Sequence, residues 1–303
     1  DPIPATVRIE LVIRDVPIDT TRDPFQWGNG YLNFGTKHLY GASKLAWTTL
    51  ADSLGATQRT VTLSEDPVGW RVGDELLFPD MDVPGAGGPR REATITIAAI
   101  AGRTMTLSRP LTFDHFAQFD PDGNIVSLPY VANLTRNIVI RSENPTGTRG
   151  HLASVGHEAT WQVGYVEMAG LGRTRAVPLD STTVDQGVII RIGTNQVGRY
   201  TDHQHHANGF GSVSVGNVLR GNQSVGGKWG VALHGTHDAR IERNIAMDFS
   251  GAGFVTEDWY EVRNMLLQNF AAYTFGNGNG SDIAERNIEQ NQPGIEGNGF
   301  WLR

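Results

Sequence analysis

The chain contains no cysteine, no long apolar run and no excess of positive charge. The absence of cysteine excludes disulfide bonds and metal sites with thiolate ligands. No apolar run approaches the roughly 18 residues that a membrane-spanning helix requires. The formal net charge of −7 argues against a nucleic-acid-binding protein, because such proteins usually present a basic surface. The composition therefore predicts neither a membrane span nor a nucleic-acid partner.

Helical periodicity is also scarce, whereas glycine is abundant at 37 of 303 residues. Segments such as RTVTL (59–63) alternate apolar and polar residues between Gly and Pro, as antiparallel strands do. After Thr135, short β-branched strands such as GVIIRIG (187–193) are separated by corners of Gly, Asn and Asp, which is typical of buried parallel strands. We predict an all-β chain, with a β-rich, sandwich-like module at residues 1–130 and a parallel β-helix at residues 131–303.

A recurring asparagine supports the β-helix. Asn217, Asn244, Asn264 and Asn287 lie in similar settings and follow one another at a nearly regular spacing. This spacing matches the length of one coil of a solenoid, in which neighbouring strands stack about 4.8 Å apart. Asparagine tolerates the left-handed conformation of a corner, and stacked asparagines can form a hydrogen-bonded ladder. The repeat therefore predicts a structural ladder rather than a ligand site.

Histidine is concentrated in two short clusters. Seven of the nine histidines lie between residues 151 and 237, and five of them belong to DHQHH (202–206) and HGTH (234–237). Side chains alternate along a strand, so His203 and His205 point to the same face. Two imidazoles on one face form the core of a candidate site.

Stacked coils would add the second cluster and a following acidic pair to this face. His234 follows His205 by about one coil length, and Glu257 follows His234 by about one more. Side chains of neighbouring coils can converge as zinc requires, with imidazole nitrogens about 2.0–2.1 Å from the ion. A His-rich, sulfur-free site favours Zn or a similar transition metal over Ca, and the imidazoles could instead act as general acids or bases. The predicted metal ligands are His203, His205, His234 and His237, and the predicted catalytic residues are His203, His205, His234, Glu257 and Asp258.

Cations and aromatic residues near these positions predict a site for a sugar polymer. Cations could neutralise an acidic sugar, and aromatic rings could stack on sugar rings. Glu257 and Asp258 are adjacent, so in a strand they would point to opposite faces and could not form the paired carboxylates of a glycoside hydrolase. A β-elimination lyase, which needs a base and a cation, stays open. The predicted substrate-binding residues are Arg199, Lys228, Trp229 and Trp259.

Six segments spread over nearly the whole chain share their order and pattern with one known family. They are KLAWTTL (44–50), WRVGDELLF (70–78), LTRNIVIRSE (134–143), VGRYTDHQHHANG (197–209), residues 231–264 and GNGFWL (297–302). In these segments the chain resembles the vertebrate family of cell-migration-inducing and cell-surface hyaluronidases. The resemblance implies a right-handed, single-stranded parallel β-helix after a β-rich module. It also implies a role in binding or cleaving glycosaminoglycans such as hyaluronan.

The resemblance supports the two histidine clusters and the acidic pair as one surface. The chain departs from the family at Gln204, where an aromatic residue usually stands between the two histidines. If this position faces the interior, the buried amide needs hydrogen-bond partners. The absence of cysteine suggests a compact bacterial relative.

Together these features predict a secreted, extracellular or periplasmic enzyme that cleaves an acidic, hyaluronan-like polysaccharide on the β-helix surface. The alternatives are a non-catalytic carbohydrate-binding or adhesive β-helix and a β-elimination polysaccharide lyase. The chain begins at Asp1 without Met, as a processed or trimmed protein does. Its last segment, NGFWLR (298–303), predicts a strand without a polar cap, so we expect the natural protein to continue. The chain would then be a fragment of a larger protein.

Overall fold

The computed structural model describes residues 1–82, 90–176, 179–207, 211–222, 227–276 and 297–302. These residues form strands, turns and loops, which confirms the predicted all-β class. They contain no helix long and apolar enough to cross a membrane. The chain divides into two compact units, the first comprising residues 1–41 and 137–303 and the second residues 42–136.

The first unit is a parallel β-helix with three sheets. Each coil adds one strand to each sheet, and neighbouring strands within a sheet run parallel. The first sheet contains β1 (Ile9–Ile13), β12 (Ile138–Ser142), β15 (Val166–Ala169), β20 (Val218–Arg220), β23 (Ile245–Met247) and β26 (Phe270–Ala272). The second sheet contains β2 (Gly30–Asn33), β13 (His151–Val155), β18 (Asp202–His205), β21 (Trp229–His234), β24 (Ala252–Thr256) and β27 (Phe300–Trp301). The third sheet contains β3 (Thr36–Tyr40), β14 (Thr160–Gly164), β19 (Val213–Val215), β22 (Arg240–Glu242) and β25 (Met265–Leu267).

Apolar side chains from all three sheets fill the interior of the β-helix. Ile140, Val163, Leu233 and Phe254 belong to one buried cluster and are each at most 4% exposed. Branched and aromatic side chains suit this position because they pack well on a pleated surface. Full burial of each such side chain contributes about 1.5–3 kcal/mol. Because these apolar side chains face inward, they fix the register of the strands and thereby determine which residues of each strand face outward.

An asparagine ladder closes the corner between the third and first sheets. The side-chain oxygen of Asn244 accepts from the backbone N–H of Asn217 at 3.0 Å, and Asn269 does the same for Asn244. The left-handed residues are the ones just before the asparagines, such as Arg243 with φ of 52°. Asparagine thus supplies the ladder while its predecessor turns the chain.

The membership of this ladder differs from the prediction. Asn264 lies in another corner, where its side chain accepts from the N–H of Ala239 at 2.9 Å. Its place is taken by Asn269, one coil after Asn244, because the ladder follows hydrogen-bond register rather than local sequence. Asn287 lies outside the described residues.

The second unit is an antiparallel sheet that closes on itself. Backbone hydrogen bonds from Ala51 to Thr62 and from Ser64 to Thr49 join its two end strands. Its core includes Phe78, which is fully buried. The sheet contains, in spatial order, β4 (Trp47–Thr49), β11 (Tyr130–Asn133), β6 (Glu75–Leu77), β7 (Ile95–Ala101), β8 (Thr104–Leu107) and β5 (Thr60–Thr62), and a separate hairpin contains β9 (Gln118–Phe119) and β10 (Ile125–Ser127).

One domain boundary and one strand pairing differ from the prediction. Residues 1–41 are predicted to belong to the N-terminal module, but β1, β2 and β3 pair in parallel with β12, β13 and β14 and form the first coil of the β-helix. Residues 187–193 are predicted as a coil strand, but β17 (Val188–Arg191) forms an antiparallel hairpin with β16 (Thr183–Asp185). Both differences are long-range or irregular pairings, which local pattern does not specify.

Candidate functional site

Strand register in the second sheet brings the two histidine clusters together. His205 in β18 lies directly opposite His234 in β21. His203 lies on the same face of β18 and is 2% exposed. Glu257 follows the last residue of β24, whose Thr256 lies opposite the neighbour of His234. Three successive coils therefore contribute to one cluster, as the spacing predicted.

The three imidazoles converge closely enough to share one ion. One ring nitrogen from each of His203, His205 and His234 lies within 4.8 Å of the others. The ring centroids of His205 and His234 are 4.6 Å apart, and those of His203 and His205 are 5.1 Å apart. We call these three residues the histidine cluster.

His203 is oriented as metal-ligating histidines usually are. Its Nδ1 lies 2.9 Å from the carbonyl oxygen of Gly198, which can only accept a hydrogen bond, so the proton of the neutral ring lies on Nδ1. Its buried Nε2 has no hydrogen-bond partner within the described ranges, and the carboxylate oxygen of Glu257 is 3.8 Å away. A carbonyl that holds one ring nitrogen and leaves the other as a free lone pair is the usual support of a metal ligand.

Both acids contact His234. Oε2 of Glu257 is 3.2 Å from Nδ1 of His234, and Oδ2 of Asp258 is 3.3 Å from its Nε2. The hydroxyl of the buried Tyr200 donates to Oε1 of Glu257 at 3.2 Å. The predicted divergence of the two acids does not occur, because β24 ends at Thr256 and strand alternation no longer applies to them.

The surroundings move the pKa values of the three histidines in opposite directions. Burial, together with the neighbouring imidazoles, lowers the pKa of His203 well below its usual range. Burial and then His234 and His206 lower the pKa of His205 to about 4. Burial also disfavours the charged form of His234, but Glu257 and Asp258 outweigh it and raise its pKa. His203 and His205 are therefore neutral near pH 7, which is the protonation state that binds metals.

The other residues that line the pocket of the histidine cluster come from the first coil and from the segment before β18. Phe25, Trp27, Val197 and Arg199 line the same pocket as the histidine cluster and Glu257. No sequence signal pointed to Phe25 or Trp27, since both lie far ahead of the cluster in the chain and within no recognisable motif.

The predicted substrate-binding residues lie in three different environments. Arg199 lines the pocket, but it is 4% exposed and its guanidinium donates to the carbonyl oxygen of Gln26 at 3.0 Å. Lys228 and Trp229 are 0% and 1% exposed, so they do not reach a ligand at the surface. Trp259 is 87% exposed. Trp229 is buried in a second apolar cluster beside Tyr200 and Trp301, separate from the cluster that fills the interior of the β-helix.

Two further positions differ from the expected site. His237 does not join the histidine cluster: its Nδ1 accepts from the N–H of Val262 at 3.1 Å, in the corner after β21. Gln204 faces the interior and is fully buried. Neither amide atom of Gln204 has a hydrogen-bond partner within the described part of the chain.

The family model that matches this chain agrees with the β-helix architecture. Residues 161–301 match the family model described as the CEMIP beta-helix. A G8 domain-containing protein of Dictyostelium discoideum is 27% identical over 267 residues, covering 84% of this chain and 21% of the relative. Human Fibrocystin-L is 27% identical over 304 residues, covering 84% of this chain and 7% of the relative. The chain thus spans about a fifth or less of the length of these two relatives.

Among solved structures, the Gp54 tailspike of Acinetobacter baumannii bacteriophage AP22, solved in complex with a capsular saccharide, is similar at a TM-score of 0.25 and 13% identity. The alignment covers 89% of this chain and 45% of the tailspike.

The family match covers β14 to β27. It confirms the resemblance predicted from the sequence, since residues 161–301 match the β-helix of the cell-migration-inducing family.

Proposed function

We propose that the histidine cluster binds a divalent transition metal, zinc or a similar ion, and that the site cleaves an acidic, hyaluronan-like polysaccharide. One observation carries the proposal: three imidazoles from two coils offer ligand atoms within 4.8 Å of one another. Three protein ligands leave a fourth position open for water or substrate, as catalytic zinc sites do. Such an ion would polarise an oxygen of the substrate or activate a water molecule.

The protonation states support metal binding over acid–base catalysis by all three histidines. His203 and His205 have lowered pKa values and are poor proton donors near neutral pH. His234 has a raised pKa only because the acids face it, and a bound cation would compete with its proton for the same nitrogen. Glu257 lies near enough to complete the coordination or to accept a proton from a bound water.

Buried arginines near the pocket support an acidic substrate. Burial lowers the pKa values of Arg149, Arg173 and Arg199 to about 10, 9 and 10, so all three stay positively charged at pH 7. Of these, Arg199 lines the pocket and Arg173 donates to the carbonyl oxygen of Gln26, so positive charge lies beside the pocket of a chain whose net charge is −7. A cleft with such a local charge attracts an anionic polymer. Because such glycans are extracellular, we also propose that the protein is secreted.

The first test measures metal content and cleavage together. The purified protein is analysed for bound metal, and hyaluronan is digested with and without a chelator. Reducing ends report hydrolysis, and the ultraviolet absorbance of an unsaturated uronate reports elimination. We expect about one metal ion per chain, loss of cleavage on chelation, and restoration by zinc.

The matched control compares a histidine inside the cluster with one outside it. His203→Ala should lose the metal and the cleavage, whereas His237→Ala should keep both, because His237 lies outside the histidine cluster. Equal metal content in the two variants would contradict the metal site. Equal glycan binding by both variants with no cleavage by wild type would instead support a non-catalytic carbohydrate-binding β-helix.

A further inference from the structure

We infer that Phe25 and Trp27 form an aromatic platform that holds a sugar ring against the histidine cluster. The inference rests on the proposed glycan substrate and assigns a binding role to a part of the chain outside the histidine motifs. Both rings line the pocket that His203, His234 and Glu257 also line. Phe25 is 37% exposed, so its ring is accessible from the pocket.

Aromatic rings suit this position because sugars have two kinds of surface. The hydroxyl groups of a sugar need polar partners, whereas its axial C–H groups form an apolar face that packs on an aromatic ring. The same pocket is also lined by imidazoles and a carboxylate. A sugar in the pocket would place its apolar face on the platform and its polar groups toward the histidine cluster.

The backbone of the platform is fixed by hydrogen bonds within its own segment. The carboxylate of Asp23 accepts from the N–H groups of Trp27 and Gly28, at 2.9 and 2.6 Å. Gln26 lies between the two rings with φ of 57°, a left-handed conformation that a non-glycine residue adopts only when its surroundings impose it. Its side chain donates to the carbonyl oxygen of Gly193 at 2.6 Å.

Residues from the third coil hold the same segment from outside. Nε of Arg199 donates to the carbonyl oxygen of Gln26 at 3.0 Å, and the guanidinium lies 3.7 Å from the centre of the Trp27 ring. Arg173 donates to the same carbonyl oxygen, and the hydroxyl of Thr182 donates to that of Pro24 at 2.6 Å. A platform fixed before binding loses little conformational entropy when a ligand arrives.

These contacts give Arg199 a different role from the predicted one. Its guanidinium is occupied by backbone carbonyls and by the face of Trp27. Arg199 is therefore a positioning residue that acts through Trp27, and its charge contributes to the pocket at a distance. The platform residues themselves contact the sugar.

The test measures equilibrium binding of a hyaluronan hexasaccharide by calorimetry. Phe25→Ala should weaken binding about two- to tenfold, the range expected for one aromatic contact. Phe25→Trp should restore it. Phe34→Ala is the matched control, since Phe34 is 66% exposed in the first coil but does not line the pocket. Equal affinities for Phe25→Ala and wild type would overturn the platform.

Metal titration of the same variants separates this inference from the proposed metal site. Phe25→Ala should bind zinc as wild type does, because Phe25 contributes no ligand. Weaker glycan binding in Phe25→Ala with no zinc binding in any variant would uphold the platform and remove the metal. The positioning role of Arg199 has its own readout: Arg199→Lys should weaken glycan binding in wild type but not in a Trp27→Ala background. Equal losses in both backgrounds would overturn that role.

Discussion

Each of the two units contains buried histidine, but the side chains that surround the histidines differ between the units. In the closed sheet of residues 42–136, His115 is fully buried, its Nδ1 lies 3.1 Å from the carbonyl oxygen of Pro79, and its ring packs on Phe113 with centroids 4.6 Å apart. Its Nε2 faces a carboxylate of Glu92 at 3.6 Å. In the β-helix, the rings of the histidine cluster face one another instead.

The comparison shows that burial alone does not identify a functional histidine. His115 is surrounded by apolar rings and an acid that is itself held by Arg109 and Thr112. His115 shares with His203 and His205 a buried ring nitrogen without a hydrogen-bond partner in the described ranges, whereas His203 and His205 also belong to the cluster whose ring nitrogens converge. Three like side chains held this close together lower the stability of a protein when no ligand binds them. Their convergence therefore indicates a functional site.

The largest effect on stability is expected at His115. His115→Ala removes a packed ring and a hydrogen bond from the core of the second unit, which should cost about 2–4 kcal/mol. Hydrogen exchange at amides of β7 and β8 would report the loss locally. His38→Ala, at an exposed position of β3, is the control and should change exchange little. Unchanged protection in His115→Ala would contradict its structural role.

A smaller loss is expected from the asparagine ladder of the β-helix. Asn244→Ala leaves the buried N–H of Asn217 and the carbonyl oxygen of Ser214 without their partner. Relaxation should let one of the two groups find another partner, so the expected cost is that of one unsatisfied buried group, about 1–3 kcal/mol. Denaturant unfolding followed by hydrogen exchange at β20 and β23 would measure it. Asn124→Ala, in an exposed turn of the other unit, should cost far less. Equal costs would show that the ladder is dispensable.

The pH dependence of the second unit should be gradual. Burial lowers the pKa of His115 below its ordinary 6.5, so the unfolded chain binds its proton first as the pH falls. Stability is therefore full above about pH 7 and declines below 6.5, by at most about 1.4 kcal/mol per pH unit for this one group. Unfolding measured between about pH 7.5 and 5 should show this slope, and His115→Gln should remove it. A slope that persists in the variant would assign it elsewhere.

The smallest change is expected at His205 in metal-free protein. His205→Ala removes a ring with an unpartnered nitrogen, and it also relieves the crowding of that ring against two neighbouring imidazoles. The loss of the ring should therefore change the free energy of unfolding by less than about 1 kcal/mol. Added zinc should then stabilise wild type more than the variant. Wild type should gain about 2.7 kcal/mol at a concentration of 100 times the dissociation constant, and the variant much less. Equal gains would remove His205 from the ligand set.

The parts of the site that could be predicted from the sequence are those set by two regular distances. Strand alternation places His203 and His205 on one face, and coil length places His234 beside them. The predicted direction of Asp258 is wrong because the strand ends just before Glu257, and strand ends depend on tertiary contacts. The platform at Phe25 and Trp27 escaped prediction for a similar reason.

The platform depends on an irregular segment between β1 and β2 that packs beside residues from a much later part of the chain. No periodic pattern encodes such a contact, and the left-handed conformation of Gln26 has no local sequence cause. The β-helix itself was predictable because every coil repeats the same strand and corner chemistry. The first coil could not be predicted from the sequence, because the whole second unit, residues 42–136, separates it from the next coil along the chain.

The most direct measurement is X-ray absorption spectroscopy of the zinc-loaded protein, with His203→Ala as the comparison. The extended fine structure counts imidazole ligands and their distances. We expect three imidazole nitrogens at about 2.0–2.1 Å in wild type, with oxygen completing the coordination, and fewer in the variant. A zinc ion with one imidazole or none, or identical spectra for the two proteins, would contradict a metal centre in the histidine cluster.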